Sequence, residues 1–230
     1  MYTKGKIVEI FKSLQGEGKY VGLPQIFVRL SMCNLQCTYC DTDFTNGDWM
    51  TYEEVLDRVQ KLLQENPEVT SLSITGGEPL LQTEFLKVVL PRLKEQGMKV
   101  LLETNGTLPD GLRCVLSWID IIAMDIKLAS ASLTAPSWSQ HGAFLAMSQA
   151  MDTYVKVVVS AQTTDEDFER AVKLVMNIQP STCFILQPVT PLGQASVPKD
   201  TQIERWIHTA REALTDVRVI PQMHKRWGIP

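Results

Sequence analysis

Three cysteines lie close together near the start of the chain, in the segment Cys33-Asn-Leu-Gln-Cys37-Thr-Tyr-Cys40. Separated by three and then two residues, their thiolates predict ligands for three irons of a four-iron, four-sulfur (4Fe-4S) cubane cluster. The remaining iron then has no protein ligand, so it can accept the amino and carboxylate groups of S-adenosylmethionine. One electron delivered into the sulfonium of that molecule breaks a carbon–sulfur bond and gives a 5′-deoxyadenosyl radical. The missing fourth cysteine therefore predicts radical chemistry.

A structural zinc site is the alternative for these cysteines. Such a site normally closes four ligands into a tetrahedron, so a second pair of ligands would be needed. No histidine lies near the segment, and the two other cysteines, Cys114 and Cys183, stand alone in the sequence. We expect those two to be core residues in a helix and in a strand, where free cysteine is often found. The cluster is therefore the favoured interpretation.

Polar segments at the ends of predicted strands are candidates for holding the same cosubstrate. In Thr75-Gly76-Gly77-Glu78-Pro79, the two glycines let the backbone approach a ligand closely, and Glu78 offers a negative anchor for the methionine amino group. Polar groups in two further segments and on the next strand can bind ribose hydroxyls, carboxylate or substrate. These candidates are Glu103, Thr104, Asn105, Thr107, Asp125, Lys127, Lys156 and Ser160. Capping of the following helix is the alternative role for a polar residue at a strand end.

The runs that precede these segments are rich in valine and isoleucine, as buried parallel strands are. They cover residues 26–30, 71–75, 100–104, 121–125, 154–159, 184–186 and 217–220. Between the first two, Thr51-Tyr-Glu-Glu54 predicts a capping box and a helix, and later helices are predicted over residues 83–96, 165–177 and 201–214. The alternation predicts an α/β fold of about six repeats, a partial (β/α)6 barrel with ligands at the carboxyl ends of its strands. We expect one domain over residues 1–230, with residues 129–142 as an irregular loop that could act as a lid.

Composition narrows the class of protein. Of the 230 residues, 44% are hydrophobic and 21% are charged, which is ordinary for a folded globular chain. The net charge of -4 and the lack of a dense Lys/Arg run argue against a nucleic-acid partner. The first residues contain no apolar stretch of signal-peptide length, and no segment approaches the roughly 18 apolar residues of a membrane span. We therefore expect a cytoplasmic protein without a membrane partner.

Further motifs give the chain a family resemblance over most of its length. Near the start stand Phe11-Lys-Ser-Leu-Gln15-Gly-Glu17-Gly18, Gly22-Leu-Pro24 and Phe27-Val-Arg29-Leu30, and the last cysteine opens Cys40-Asp41-Thr42. The other end of the chain contains Pro221-Gln-Met-His224-Lys225. In these segments, together with the cysteine spacing, the chain resembles the 7-carboxy-7-deazaguanine synthases of the radical S-adenosylmethionine superfamily.

The resemblance implies a partial barrel of the radical S-adenosylmethionine type and a ring contraction. In it, 6-carboxy-5,6,7,8-tetrahydropterin loses ammonia and becomes 7-carboxy-7-deazaguanine, a queuosine precursor. The radical removes hydrogen from C6 of the pterin, and the cosubstrate is regenerated. The family likeness also implies magnesium, a homodimer, and an external one-electron donor such as flavodoxin or ferredoxin.

Site residues are carried over from the same resemblance. Thr42 is the magnesium contact, and Asp41 is expected to orient its loop. The cosubstrate residues are Tyr39, Gly76, Gly77, Glu78, Asn105, Asp125, Lys127 and Ser160, and the substrate residues are Gln15, Glu17, Arg29, Thr75, Thr104, His224 and Pro230. By residue type, Gln15 and Glu17 suit the pterin edge and Arg29 suits its carboxylate. If the tail folds over the mouth of the barrel, its terminal carboxylate is expected to meet the pterin.

One segment departs from the family pattern, and two rival functions stay open. After Asp125-Ile-Lys127 a proline-containing polar turn is expected, whereas this chain has Leu-Ala-Ser-Ala-Ser, so the shape of residues 128–142 is left open. A glycyl-radical-enzyme activating enzyme shares the cysteine spacing and the Gly-Gly-Glu-Pro segment, although Gln15-Gly-Glu17-Gly18 argues against it. A non-catalytic iron–sulfur or zinc module predicts metal binding without cleavage of the cosubstrate.

Overall fold

A computed structural model describes residues 4–191 and 195–230. Its main feature is a sheet of nine strands with helices between them. The strands are β1 (Lys4–Leu14), β2 (Pro24–Leu30), β3 (Asp48–Thr51), β4 (Ser71–Gly76), β5 (Lys99–Thr104), β6 (Ile121–Ile126), β7 (Asp152–Val159), β8 (Cys183–Pro188) and β9 (Val217–Val219). The helices are α1 (Tyr52–Glu65), α2 (Thr83–Glu95), α3 (Pro109–Val115), α4 (Ala129–Ser132), α5 (Trp138–Met147), α6 (Asp165–Ile178), α7 (Asp200–Arg211) and α8 (Met223–Trp227). Short 3-10 turns cover Gly18–Tyr20, Pro79–Gln82 and Leu116–Trp118.

The sheet confirms the predicted α/β fold of partial-barrel type. Its order is β3-β1-β2-β4-β5-β6-β7-β8-β9, and it is not closed, because β3 and β9 form its edges. Every neighbouring pair from β2 to β9 is parallel, whereas β1 runs antiparallel to both β2 and β3. All the predicted strands are present, but β9 is half exposed rather than buried because it is an edge strand. The parallel part brings the carboxyl ends of its strands to one edge, as the chemistry requires.

Alternation along the strands separates a helix-covered face from an inner face. In β6, Ile122, Met124 and Ile126 belong to the main core, which the helices cover. Ile121 and Ala123 point the other way into a second, smaller apolar cluster that also contains Tyr154. Since successive strand residues face opposite sides, Asp125 follows Ile121 and Ala123 onto the inner face. A polar site can therefore form inside the sheet without disturbing the core.

Helix signals in the sequence are confirmed where they are local. Before α1, Thr51 Oγ1 accepts from Glu54 N at 3.2 Å and Glu54 Oε2 accepts from Thr51 N at 2.7 Å, so the capping box is formed. Cys183 is buried in β8 as expected. Cys114 lies in a helix, α3, but it is exposed and not a core residue, because the buried face of that helix carries Leu112 and Val115.

Residues 129–142 are not the irregular loop that the sequence predicts. The helix α4 and the start of α5 occupy much of this segment, with His141, Phe144 and Leu145 giving α5 a buried face. Thr38 donates from its backbone N to Ser132 O at 3.1 Å, which ties the segment to the cysteine loop. On the other side Ser130 N donates to Asp167 at 2.7 Å. These contacts hold α4 at the start of the segment, and the buried His141 holds its far end, so the structure gives no support to a lid.

None of the helices in the described residues has both the length and the apolar character needed to cross a membrane.

Candidate active site

The carboxyl ends of the parallel strands border an open cavity of about 1370 Å³, counting the space at its mouth. Its walls come from both ends of the chain and from most of the strand-end segments singled out in the sequence. The predicted residues that line it are Gln15, Glu17, Arg29, Cys33, Cys37, Tyr39, Cys40, Asp41, Thr42, Thr75, Gly76, Gly77, Glu103, Thr104, Asn105, Asp125, Lys127, Lys156, His224 and Pro230. Three predicted residues, Glu78, Thr107 and Ser160, are buried and do not line it.

The cysteine loop presents three free thiols to this cavity. Cys33 and Cys37 are half-buried and Cys40 is exposed, and none of them is in a disulfide. Burial raises the pKa of the Cys37 thiol to about 11, while the nearby Lys127 ammonium opposes that rise. A thiolate is the form that ligates iron, so a cationic neighbour favours the ligating form. Three free thiols on one wall, beside a buried cation, fit the donor set of a cluster with one open iron.

Gly76 and Gly77 are required by close packing against the cysteine loop. Gly76 has a φ of 135°, and a Cβ there would lie 2.0 Å from Leu30 O. A Cβ on Gly77 would lie 2.1 Å from Met32 O, directly before Cys33. Backbone contacts at these distances leave no room for a side chain. The two glycines therefore let the end of β4 lie against the loop that carries the thiols, in addition to lining the cavity.

Glu78 lies behind the cavity wall, although the sequence analysis expects it to anchor the cosubstrate. Its side chain is fully buried and caps the turn after β4, where Leu80 N donates to it at 3.0 Å. Asn105 N donates to the same carboxylate at 2.8 Å, and Thr104 Oγ1 donates at 2.9 Å. Burial raises its pKa to about 7, against these hydrogen bonds. Glu78 thus joins the ends of β4 and β5 from within.

Ser160 has a comparable local role after β7. It is buried, and its backbone N donates to Thr163 Oγ1 at 2.9 Å, which shapes the turn before α6. Its own Oγ accepts from Gln162 N at 3.3 Å, which is the capping role considered for polar residues at strand ends.

Four charged side chains form a row of ion pairs across the inner face, here called the ladder: Glu17, Lys156, Asp125 and Lys127. Lys156 bonds to Glu17 and lies 3.2 Å from Asp125 Oδ2, and Lys127 Nζ lies 2.8 Å from the same oxygen. Burial alone would raise the pKa of Glu17, but Lys156, with Gln222 and Gln187, holds it at about 2. The pKa of Lys127 is raised well above its usual value despite burial, mainly by Asp125. The ladder therefore holds fixed charges of both signs inside the cavity.

The C-terminal tail, residues 221–230, closes one side of the site. Met223 N donates to Gly16 O at 2.9 Å, and a Cβ on Gly16 would meet His224 Cβ at 2.6 Å. This packing places His224 Nε2 3.5 Å from Asp41 Oδ2 and its Nδ1 3.8 Å from Glu17 Oε1. His224 is thus a wall residue and not an exposed tail residue. Lys225 Nζ lies 2.9 Å from Asp41, and together with His224 it holds the pKa of Asp41 below its usual range although burial opposes this.

Neutral donors and one more carboxylate make up the wall beside β1. Gln15 Nε2 donates to Gln25 at 3.0 Å and to Glu103 Oε1 at 3.1 Å, and Ser73 Oγ donates to the same oxygen at 2.6 Å. Arg29 lies at the rim, where its Nη1 donates a hydrogen bond to Glu9 Oε1 on the neighbouring strand at 2.5 Å. Its guanidinium carbon is 5.1 Å from the centre of the Phe11 ring.

Several wall atoms are buried without a partner, as the walls of a polar ligand site often are. Tyr39 Oη, Asp125 Oδ1 and Gln187 Oε1 have no hydrogen-bond partner among the described residues, and all three side chains line the cavity. Gln187 and Gln222 are not among the site residues predicted from the sequence, whereas Lys156 is. The signal for Lys156 was present, because it alternates with Tyr154 and Val158 on the inner face of β7. Gln222 lies in the motif Pro221-Gln-Met-His224-Lys225, but residue type alone does not predict its contact with Glu17, because the folded tail creates that contact.

Comparison with known proteins identifies the family. Residues 28–186 match the model of the radical SAM superfamily. A protein of Geobacter sulfurreducens named 7-carboxy-7-deazaguanine synthase is 37% identical, with 97% of each chain covered. A protein of the same name from Methanothermobacter thermautotrophicus is 34% identical, with 98% of each chain covered. Among solved structures, QueE from Escherichia coli superposes with a TM-score of 0.63 at 21% identity, covering 96% of this chain and 95% of that one.

These matches favour the synthase over both rival functions, the activating enzyme and the non-catalytic module. They extend over nearly the whole chain, including the segments of the tail and of β1 that complete the cavity. From its sequence matches and its fold, the chain belongs to the radical S-adenosylmethionine superfamily, whose members use a 4Fe-4S cluster and S-adenosylmethionine, and within it to the 7-carboxy-7-deazaguanine synthase family.

Proposed function

We propose that this chain converts 6-carboxy-5,6,7,8-tetrahydropterin to 7-carboxy-7-deazaguanine with release of ammonia. The observation that carries the proposal is the composition of the cavity. Three free thiols lie on one side of it, and the ladder of Glu17, Lys156, Asp125 and Lys127 lies on the inner face below. A cluster with its cosubstrate and a flat, polar heterocycle need these two kinds of wall next to each other.

The cofactor side of the cavity is built around Cys33, Cys37 and Cys40, which would hold the cluster. When bound, the cluster would pass one electron from an external donor to S-adenosylmethionine, and so would supply the 5′-deoxyadenosyl radical for removal of hydrogen from C6 of the pterin. Tyr39 Oη and Asp125 Oδ1, which lack partners among the described residues, are available to polar groups of the cosubstrate. Lys127 keeps a positive charge next to Cys37 and Tyr39. Backbone groups of Gly76 and Gly77 and the Asn105 segment complete this side.

The substrate side is proposed to lie between β1, the inner face and the tail. Glu103 offers an acceptor that suits the N–H groups of a pterin edge, and Gln15, whose amide donates to Gln25 and to Glu103, holds that carboxylate in place. Thr75 and Thr104 lie on the same wall. Arg29 suits the substrate carboxylate, since Glu9 accepts from only one of its guanidinium nitrogens, Nη1. His224 and Pro230 close the site from the tail. Because Glu17 and Lys156 stay ionised at neutral pH, they orient the substrate by fixed charge.

Magnesium is proposed to bind at Thr42, whose side of the cavity also carries Asp41. Within the described residues, no three His, Cys, Asp or Glu side chains form a ready site for a metal ion. Magnesium prefers six oxygens in an octahedron and usually keeps several waters. The ion would therefore depend on oxygens of the substrate and of water, so that its affinity should rise when the pterin is present.

The remaining parts of the proposal concern the setting of the enzyme. We expect a homodimer, a location in the cytoplasm, and reduction by a small one-electron carrier such as flavodoxin or ferredoxin. These expectations follow from the family likeness, and each can be measured separately from turnover.

An anaerobic assay of the reconstituted protein tests the reaction. The mixture contains a reductant, magnesium, S-adenosylmethionine and the carboxytetrahydropterin, and the product is followed by absorbance and mass. Deazaguanine formed in excess of the cosubstrate consumed is the expected result. If 5′-deoxyadenosine forms without deazaguanine, the proposed substrate is wrong; if neither forms on a protein with an intact cluster, the proposed catalysis is wrong.

A further inference from the structure

A closed ring of hydrogen bonds holds the start of the cysteine loop against the loop after β5. Asn105 Nδ2 donates to Asn34 Oδ1 at 2.9 Å, and Asn34 Nδ2 donates to Thr107 Oγ1 at 2.8 Å. Thr107 Oγ1 in turn donates to Asn105 Oδ1 at 2.6 Å, which closes the ring. The Asn105 side chain, expected to contact the cosubstrate, is thus bonded to Thr107 and to Asn34, the residue directly after Cys33.

The ring is supported from behind by a buried histidine on α5. His141 is 1% exposed, and its Nε2 lies 3.0 Å from Asn105 O. Because a carbonyl oxygen only accepts, Nε2 carries the proton in this contact. Burial lowers the pKa of His141 to about 4, so its imidazole is neutral at physiological pH. Its position is fixed by neighbours, since Trp138 packs edge-on at 6.2 Å and a Cβ on Gly106 would lie 3.4 Å from its Cδ2.

We infer that His141 is a positioning residue for the cysteine loop, residues 31–47. It acts through the Asn105 carbonyl and the Asn34–Asn105–Thr107 ring, and so fixes the orientation of the Cys33 thiol. The loop from Ser31 to Gly47 contains neither helix nor strand, so side-chain bonds contribute to its orientation together with a few backbone bonds. Asn34 is the loop residue that the ring engages, one position from a cluster ligand. The backbone bond from Glu78 N to Met32 O, at 2.8 Å, anchors the other side of Cys33.

The inference deepens the proposed function and rests on its cluster and cosubstrate, not on the pterin. It predicts that His141 affects how firmly S-adenosylmethionine is held, although His141 itself does not line the cavity. A purely structural role for this buried residue would lower stability without a selective effect on the cosubstrate or on the spectrum of the cluster.

Two matched pairs of variants separate these roles. Thr107→Val keeps the shape of the side chain but removes the hydroxyl, whereas Thr107→Ser keeps the hydroxyl. His141→Leu removes the donor to Asn105 O, whereas His141→Gln supplies an amide N–H at a similar distance from the backbone. Leu145→Ala, on the same helix and in the main core, serves as a control for lost stability alone.

The measurements are made on anaerobically reconstituted protein with S-adenosylmethionine as the ligand. They are iron content, the dissociation constant by calorimetry, the electron paramagnetic resonance (EPR) spectrum of the reduced cluster with and without ligand, and the unfolding temperature. We expect Thr107→Val and His141→Leu to weaken ligand binding by about tenfold and to alter the spectrum, as loss of a buried hydrogen bond predicts. The dissociation constants of Thr107→Ser, His141→Gln and Leu145→Ala for S-adenosylmethionine should stay within about twofold of the parent value, although Leu145→Ala lowers the unfolding temperature.

Three outcomes would overturn the inference. One is an unchanged dissociation constant and spectrum in both Thr107→Val and His141→Leu. Another is that Thr107→Ser and His141→Gln weaken ligand binding as much as Thr107→Val and His141→Leu do. The third is that Leu145→Ala, at the same drop in unfolding temperature, weakens ligand binding as much as His141→Leu does. If His141→Leu does not fold, the Thr107 pair decides alone. A parent protein that binds S-adenosylmethionine but makes no deazaguanine would refute the proposed substrate and leave this comparison intact.

Discussion

Glu17 is a largely buried carboxylate, with 18% of its side chain exposed, and its ionised form depends mainly on one lysine. Burial raises its pKa and Lys156 lowers it, with help from Gln222 and Gln187. Removing the cation while keeping the carboxylate should therefore be costly. We expect Lys156→Met to lower the free energy of unfolding by about 3–5 kcal/mol, the usual result of breaking a buried ion pair. Denaturant titration at neutral pH measures it, and the double variant with Glu17→Gln should recover part of the loss; no recovery would contradict the pairing.

The same pair predicts a dependence of stability on pH. The folded-state pKa of Glu17 is about 2, below the ordinary 4.5 of a glutamate, so its stabilising contribution is complete above pH 4.5. That contribution should be lost as the pH falls from 4.5 toward 2, where the folded state also takes up the proton. In Lys156→Met this fall should be smaller, since the cation that lowers the pKa is gone. Unfolding curves at a series of pH values test the difference, and parallel profiles for the two proteins would refute it.

Among the five free cysteines, position in the fold separates the three proposed cluster ligands from the other two thiols. Cys37 lies on the cavity wall, whereas Cys114 is an exposed cysteine on α3. Cys37→Ala should lose most of the iron and the visible absorbance of the cluster after reconstitution, because a thiolate ligand is removed. Cys114→Ala is the matched control and should keep both at the parent level. Equal iron content in the two variants would show that Cys37 is not a ligand.

At the scale of elements, the close approach of β4 to the cysteine loop is the feature most sensitive to substitution. Gly76 combines a φ of 135° with a Cβ position 2.0 Å from Leu30 O, whereas Gly97 has a φ of 78° and open space around it. Gly97→Ala should cost about 1–2 kcal/mol from backbone strain alone. Gly76→Ala should cost more than about 4 kcal/mol, because the backbone of β2 must also move. Denaturant unfolding compares the two, and equal losses would mean that packing at Gly76 is not tight.

Elements with strong local signals were predictable from the sequence, and those defined by tertiary contacts were not. The parallel strands are apolar on both faces, so runs such as Ile121–Ile126 stand out. The edge-side strand Lys4–Leu14 was missed because few of its residues are buried and lysines interrupt it. In the site, motif residues were found by type, but the inward turn of Glu78 onto Asn105 depends on how two loops pack. Spacing along one segment contains no information on that contact.

At the scale of the whole molecule, the cavity is assembled from segments far apart in sequence. Ser13 Oγ on β1 donates to Pro230 O at 3.3 Å, a contact between residues 217 positions apart. The single domain expected over residues 1–230 stays a prediction, and it requires one cooperative loss of the cluster and of the secondary structure on heating. A separate early transition of the tail would instead show that the cavity opens before the sheet unfolds.

Removal of residues 228–230 tests the contribution of the tail to substrate binding. Pro230 lines the cavity, and Ile229 N donates to His224 O at 3.2 Å, so the deletion takes away one wall and loosens the end of α8. We expect KM for the pterin to rise by at least about tenfold, equal to about 1.4 kcal/mol of binding free energy. Cleavage of S-adenosylmethionine to 5′-deoxyadenosine without pterin should continue, because the thiols and the inner face are untouched. Deletion of Pro230 alone, which leaves the Ile229 contact in place, separates the lost wall from the loosened helix. An unchanged KM in the longer deletion would place the pterin away from the tail, and loss of both activities would mean that the tail supports the cluster loop as well.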